Sequence, residues 1–132
     1  QAVIRPTAQI VANVKKVYPD IPVIGFAKGA SLRLARYARE TGIDAVAVDA
    51  QTPRGWAKDT FGHTHCLQGN IDNILLSSDK QKVIDDTHAL LEMWDDVPFI
   101  ANLGHGIVPH TPIDNVAAIS EVIKHYRRAR SV

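Results

Sequence analysis

The stretch NLGHGIVPHTPIDNV, residues 102–116, determines which fold class we assign to this sequence. The apolar run PFIANL ends in the tripeptide GHG around His105, and a helix start at Thr111 follows after a short loop. Two glycines around a histidine are typical of a backbone that bends sharply or approaches another group closely. The stretch therefore predicts a strand that ends in a histidine-bearing loop, which is where parallel α/β proteins place their reactive groups.

Short apolar runs alternate with helical patterns along the rest of the chain. The runs predicted as strands are residues 21–27 (IPVIGFA), 44–50 (DAVAVDA), 64–70 (THCLQGN) and 97–103 (VPFIANL). The predicted helices are residues 7–18, 31–42, 53–62, 77–94 and 111–128. Continuously apolar strands that alternate with helices indicate an α/β fold with a parallel sheet covered by helices.

The number of βα units limits the possible architectures. An open flavodoxin-like sheet has about five strands, and a complete (β/α)₈ TIM barrel has eight strands and about 250 residues. This chain has 132 residues and begins with Gln1 rather than Met. We therefore expect residues 1–132 to be a single unit of about four βα units, equal to half of a (β/α)₈ barrel and cut from a longer chain.

Helix patterns give further expectations about apolar faces and helix ends. The first helix is predicted to carry one apolar stripe, made of Ile10, Val11, Val14, Val17 and Tyr18. Ser31 and Thr111 are predicted to cap the second and fifth helices, and Gly42 is predicted to end the second.

Composition excludes several classes of protein. A formal net charge of +1 gives no electrostatic case for binding nucleic acid or an anionic membrane. The basic end of the chain, residues 124–132 (KHYRRARSV), is interpreted as a cationic helix terminus that complements the helix dipole. The single cysteine, Cys66, excludes an internal disulfide and suits the reducing cytoplasm. No apolar run approaches the ~20 residues that span a bilayer, and no secretory signal pattern opens the chain.

Polar residues follow each predicted strand and should share one edge of the sheet, the active-site face of a barrel. His105 is the first candidate, either as a proton shuttle and carboxylate donor or as a simple strand cap. Asp49 suits a base or substrate anchor, and equally a turn that caps the next helix. Lys28 suits an anion site or a solvated turn. Gln68 and Asn70 offer amides to a polar ligand or form a tight turn.

Neither a metal site nor a nucleotide site is predicted. In HTHC, residues 63–66, His65 and Cys66 are adjacent, point to opposite faces of a strand and lie at the end away from the presumed active face. The segment KGAS, residues 28–31, lacks the spacing of a phosphate-binding loop.

Four segments in register resemble the uroporphyrinogen decarboxylase family. Residues 102–116 resemble its G-H-G-x-x-P-x-T-P-x-E-N-V motif, with Asp114 in place of the glutamate. LQGNID, residues 67–72, is similar to its L-Q-G-N-L-D motif. Residues 21–31 (IPVIGFAKGAS) resemble its V-P-x-I-x-F-x-K-G segment, and AVAVDA, residues 45–50, resembles its strand that ends in aspartate. The order and spacing agree over essentially the whole chain.

The resemblance implies that these residues are the C-terminal half of a TIM barrel. It implies an enzyme that removes CO₂ from the four acetate side chains of uroporphyrinogen and yields coproporphyrinogen for haem synthesis, without a metal or organic cofactor. His105 matches the family histidine that lines the substrate cleft. The family's arginine pair and central aspartate belong to the N-terminal half, so we expect this segment alone to be inactive. The resemblance also implies that the full-length protein is a homodimer, and the single cysteine suits a cytoplasmic location.

Two alternatives stay open at this stage. A cobalamin-linked methyltransferase of the same fold carries a zinc-binding H-x-C where this chain has Phe26-Ala27-Lys28, and a cysteine near the position of His105. A non-catalytic α/β binding module is the other alternative, and the length of the natural polypeptide discriminates it from an enzyme.

Overall fold

The computed structural model describes residues 2–126, in which helices and strands alternate from the first element to the last. In chain order the elements are α1 (Ile4–Val17), β1 (Ile24–Phe26), α2 (Leu34–Thr41), β2 (Ala45–Ala47), α3 (Arg54–Phe61), β3 (Cys66–Ile71), α4 (Lys80–Met93), β4 (Phe99–Leu103) and α5 (Ile113–His125). Short 3₁₀ turns lie at Ser31–Arg33 and Leu75–Ser77. Each predicted strand and helix is thereby found, with strands shorter than the apolar runs that predicted them.

The four strands form one parallel sheet in the order β1-β2-β3-β4. Neighbours in the sheet are also neighbours in the chain, as in four consecutive units of a (β/α)₈ barrel, so the predicted fold class is confirmed. One row across the sheet contains Phe26, Ala47, Gln68 and Ile100. Because all strands run in the same direction, their carboxyl ends and the loops that follow lie along one edge.

The two faces of the sheet have different environments. Helices cover the face that contains Val46, Leu67 and Ile71, and these side chains are fully buried. On the other face, Phe26 and Ile100 are 45% and 43% exposed. Since successive side chains of a strand point to opposite faces, the covered face supplies the core, and the uncovered one is what would line the inside of a barrel.

The apolar stripe of helix α1 is covered only in part. Val11 is buried, but Ile10, Val17 and Tyr18 are exposed by 64%, 66% and 57%. The reason is that α1 precedes the first strand and packs mainly on α2, which covers only the side around Val11.

Helix ends also correct two predictions. Gly42 ends α2 in the left-handed conformation with φ of 72°, which confirms its predicted role. Ser31 instead begins a 3₁₀ turn, and the cap position of α5 is Pro112 rather than Thr111, with no side-chain cap. The interpreted basic helix terminus lies largely in residues 127–132, outside the described residues. Within residues 2–126, no helix combines the length and apolar character needed to cross a membrane.

Candidate functional site

Loops after all four strands enclose a cavity of about 320 Å³, which we call the rim cavity. Its lining residues are Lys28, Gly29, Asp49, Ala50, Gln51, Asp72, Asn73, Ile74, Gly104 and His105. Of the predicted site residues, Lys28, Asp49 and His105 meet here, whereas Gln68 and Asn70 do not line it. Loops that are far apart in sequence converge because the strands they follow are parallel.

Lys28 and His105 form the cationic wall of the rim cavity. The ammonium of Lys28 lies 3.1 Å from Nε2 of His105, and both side chains are exposed. A lysine ammonium has only donors, so Nε2 accepts this hydrogen bond and the neutral ring carries its proton on Nδ1. The pair therefore presents the remaining ammonium hydrogens and one imidazole N–H as donors for an anion.

The Asp49 carboxylate is largely occupied by hydrogen bonds within the protein. Oδ2 accepts from the amide of Gly29 at 2.8 Å, and Oδ1 accepts from the amide and the hydroxyl of Thr52 at 3.0 and 2.8 Å. Burial opposes ionisation, but the hydrogen bonds from Gly29, Thr52 and Gln51 outweigh it and hold the pKa of Asp49 below its ordinary value. The carboxylate thus ties the loop after β1 to the loop after β2.

Asn70 is buried beneath the loop after β2, with 2% of its surface exposed. Its Nδ2 donates to the carbonyls of Asp49 and Thr52 at 3.0 and 2.9 Å, and its Oδ1 accepts from Nε of Arg54 at 2.9 Å. The guanidinium of Arg54 also forms two bonds to the Asp86 carboxylate, at 2.9 and 2.6 Å. All amide groups of Asn70 are therefore used inside the protein, while its predicted role in binding substrate stays a prediction.

Gln68 lies on the uncovered face of the sheet rather than at the rim. It lines a second cavity of about 460 Å³, together with Phe26 of β1 and Asn102 of β4. Gly104, His105 and Gly106 border this cavity as well, so His105 stands where the two cavities meet. The second cavity combines apolar side chains with the amides of Gln68 and Asn102, and Gln68 stays a predicted substrate contact.

Two contacts fix the loop that carries His105. The amide of Gly104 donates to the carbonyl of Ile71 at 2.7 Å, and a Cβ at Gly104 would collide with the backbone of Ala50. On the other side of His105, Nδ2 of Asn73 donates to the carbonyl of Gly106 at 3.0 Å. The glycine before the histidine is thus needed for close approach of two loops, as the sequence indicated.

His65 and Cys66 lie at the opposite end of β3 from the rim cavity. The His65 ring packs edge-on against Phe61, with 6.0 Å between the ring centroids, and its Nδ1 lies 2.9 Å from the Thr64 hydroxyl. Burial raises the pKa of the Cys66 thiol. Across the described residues 2–126, no group of three or more His, Cys, Asp or Glu side chains is placed to hold a metal ion.

Comparison with known proteins assigns this chain to a family. A family model described as uroporphyrinogen decarboxylase matches residues 1–126. The chain belongs to the uroporphyrinogen decarboxylase family. The predicted resemblance is therefore confirmed over nearly the whole sequence.

Two curated relatives show how much of a family member this segment represents. The uroporphyrinogen decarboxylase of Wolbachia sp. subsp. Brugia malayi is 41% identical over 124 residues, which cover 94% of this chain and 35% of the relative. That of Novosphingobium aromaticivorans is 43% identical over 126 residues, covering 96% of this chain and 37% of the relative. The chain thus spans little more than a third of the length of these uroporphyrinogen decarboxylases.

A solved structure supports the fold independently. A methyltransferase from Methanosarcina mazei superposes with a TM-score of 0.74 at 19% identity, over 92% of this chain and 35% of that one. At this identity the likeness concerns the fold alone, and it agrees with four consecutive βα units.

Three residues that hold the loops of the site in place were not predicted from sequence as site residues. Arg54 and Thr52 hold the loop after β2, and Asn73 holds the loop that carries His105. The available signal was position: Thr52 and Arg54 flank Pro53 directly after a strand end, and Asn73 follows the segment LQGNID. Position alone does not distinguish a residue that braces a loop from one that faces a ligand.

Proposed function

We propose that the complete protein containing this segment is a uroporphyrinogen decarboxylase, a carboxy-lyase of porphyrin and haem biosynthesis. The observation that supports this most is the family match over residues 1–126, together with the Lys28–His105 donor pair at the carboxyl ends of the strands. The substrate carries acetate carboxylates, and a cationic pair of donors is suited to bind one of them.

The proposed reaction needs no electron carrier because the substrate supplies the electron sink. Protonation of a pyrrole carbon makes the ring electron-deficient, so the bond between the acetate methylene and its carboxylate breaks, CO₂ leaves, and the bonding electrons enter the ring. A proton then adds to the methylene carbon to form a methyl group, and the protonated ring carbon gives up its proton, so that one proton replaces one CO₂ overall. The protein has to orient carboxylates, deliver protons and stabilise charge on the ring.

Each part of the described site has a place in this proposal. Lys28 and His105 bind a substrate carboxylate at the rim, and His105 is positioned to assist proton transfer. The uncovered sheet face, with Phe26 and the amides of Gln68 and Asn102, offers an apolar surface with polar edges for the tetrapyrrole. We further propose that the complete protein works in the cytoplasm as a homodimer, and that residues 1–132 alone are inactive.

The test is an anaerobic assay of the complete natural polypeptide with uroporphyrinogen III and a chelator, without added metal. We expect products with seven to four carboxylates to follow one another, separated by chromatography. His105→Ala should lower kcat/KM about 10- to 100-fold, the value of a charge-assisted hydrogen bond. The matched control is His110→Ala, since His110 is exposed nearby but does not line the rim cavity.

Three outcomes would overturn the proposal or one part of it. A well-folded protein that leaves uroporphyrinogen unchanged would favour a methyltransferase or a non-catalytic binding module instead. Activity that disappears with the chelator and returns with zinc would contradict the cofactor-free reaction. Equal activity of the two histidine variants would remove His105 from the mechanism.

A further inference from the structure

We propose that Asp49 is a positioning residue, which acts through the Gly29 amide to hold the Lys28 ammonium against Nε2 of His105. This inference adds a detail to the proposed function. It rests on that function in one respect, namely that His105 belongs to the cavity that binds substrate. It gives Asp49 a different task from the base or substrate anchor that the sequence suggested.

The first argument is the set of contacts around the Asp49 carboxylate. One oxygen accepts from the amide of Gly29, the residue directly after Lys28, and the other oxygen accepts twice from Thr52. Asp49 is 9% exposed, whereas Lys28 and Gly29 are both exposed. A buried anchor in the loop after β2 thus holds an exposed loop after β1 that no strand pairing reaches.

The second argument concerns what that loop carries. Gly29 has φ of 71°, and the amide it turns toward Asp49 sets the direction in which the chain leaves Lys28. The ammonium of Lys28 then lies 3.1 Å from His105, across 77 positions of sequence. A long lysine side chain on an unrestrained loop has many rotamers, so a fixed backbone reduces the entropy cost of this contact.

The third argument is the anchoring of Asp49 itself. Its carbonyl accepts from the buried amide of Asn70, which is in turn bonded to Arg54. Arg54 reaches Asp86 on α4. A chain of hydrogen bonds through Asp49, Asn70 and Arg54 therefore connects the loop that carries Lys28 to the buried interior.

The consequence for chemistry is a defined state of His105. With Nε2 occupied by Lys28, the neutral imidazole keeps its proton on Nδ1. The other ionisable groups that line the rim cavity are Asp49, already bonded, and Asp72, whose Oδ1 accepts from the amide of Ile74 at 2.9 Å. Lys28 is thus the side chain of this cavity that determines which imidazole nitrogen is free.

The experiment measures acylation of His105 by diethyl pyrocarbonate in the complete natural polypeptide, with peptide mass spectrometry as the readout. An unprotonated imidazole nitrogen attacks the reagent, so Nε2 must first be released from its hydrogen bond with Lys28. Because His105 is already exposed, a change in rate reports this hydrogen bond rather than general access. His110, which is exposed in the same loop, is the internal reference.

Lys28→Met and Asp49→Ala should each accelerate acylation of His105 about fivefold relative to His110, the order of magnitude of one hydrogen bond. Lys28→Arg should keep the slow rate, since a guanidinium also only donates. Thr52→Val is the matched control, because it removes a donor to Asp49 but leaves the Gly29 contact. The double variant should react as fast as Lys28→Met alone, since both changes break the same contact.

A normal rate in Asp49→Ala would overturn the proposal, and so would rates that multiply to about 25-fold in the double variant. If Asp49→Ala does not fold, Lys28→Met still tests the contact because Lys28 is exposed, and Asp49→Asn then tests the anchor. The assay uses no substrate, so its result is independent of whether the protein decarboxylates uroporphyrinogen.

Discussion

Replacing Asn70 with alanine should destabilise the protein far more than the same change at Asn102. The two asparagines are register partners on β3 and β4, so they differ in environment rather than in type or location along the strand. Asn70 is buried and makes three hydrogen bonds, one of them from the charged guanidinium of Arg54. Asn102 is exposed and accepts one bond, from the amide of Leu103 at 2.8 Å.

The expected loss of unfolding free energy in Asn70→Ala depends on which hydrogen bonds the partners of Asn70 keep after the substitution. A neutral hydrogen bond contributes about 1 kcal/mol and one to a charged group about 2 kcal/mol, which sets an upper range of about 4 kcal/mol. The Asp49 carbonyl keeps a bond from the amide of Thr52, and Arg54 keeps Asp86, so part of the loss is recovered. We expect Asn70→Ala to lower the free energy of unfolding by about 3 kcal/mol and Asn102→Ala by less than about 0.5 kcal/mol.

Urea denaturation of the complete polypeptide, followed by tryptophan fluorescence, measures the difference, since Trp94 is fully buried. A difference below about 1 kcal/mol between the two variants would refute the bracing role that we assign to Asn70. Unchanged stability with a raised KM would instead place Asn70 among the substrate contacts.

Gly104→Ala should cost at least about 2 kcal/mol in the same denaturation assay, because its Cβ would lie 2.8 Å from the Cα of Ala50, whereas Gly106→Ala has open space and should be nearly neutral. Similar midpoints for the two glycine variants would contradict the close approach of these loops. For Asp49, a depressed folded-state pKa means that its contribution to stability is present above the usual carboxyl pKa and is lost as the pH falls through the depressed one. The stability difference between the wild type and Asp49→Asn should therefore shrink as the pH falls below about 5, and a constant difference would argue against an ionised Asp49.

The parallel sheet was predictable because each strand has a local cause. Apolar β-branched runs such as residues 21–27 and 97–103 are bounded by Pro or Gly, and the helices between them have clear stop signals such as Gly42. Strand lengths were not predictable in the same way. Pairing in β1 covers only Ile24–Phe26, since it depends on how many residues of β2 lie opposite and not on the apolar run alone.

The location of the candidate site was predictable from sequence. Which of its polar residues face the cavity and which brace its loops was not. His105 and Lys28 were found because strand-end loops of parallel strands converge. Asp49 and Asn70 were equally good candidates from sequence, yet their polar atoms are bonded to Gly29, Thr52 and neighbouring carbonyls. Which polar residue faces a cavity depends on hydrogen bonds between segments that are 16 to 33 positions apart, and no local pattern encodes them.

The apolar stripe of α1 shows another limit of sequence patterns. Its spacing is regular and predicts a helix with one apolar side, but spacing does not show whether another element is present to cover that side. Within residues 2–126, α2 covers Val11 and leaves Ile10 and Val17 at the surface. A periodic pattern therefore predicts an interface only as far as the neighbouring elements extend.

The bonds that brace the rim cavity end mainly on main-chain atoms: the Gly29 amide and the carbonyls of Asp49, Thr52 and Gly106. Main-chain groups are the same whatever side chain a position carries. Side chains at lining positions such as Gln51 and Ile74 could therefore be replaced without loss of the bonds that brace the cavity. The main-chain bonds thus set the shape of the cavity, whereas the lining side chains set which ligand it accepts. Proteins with the same scaffold can therefore differ in the ligand that they bind.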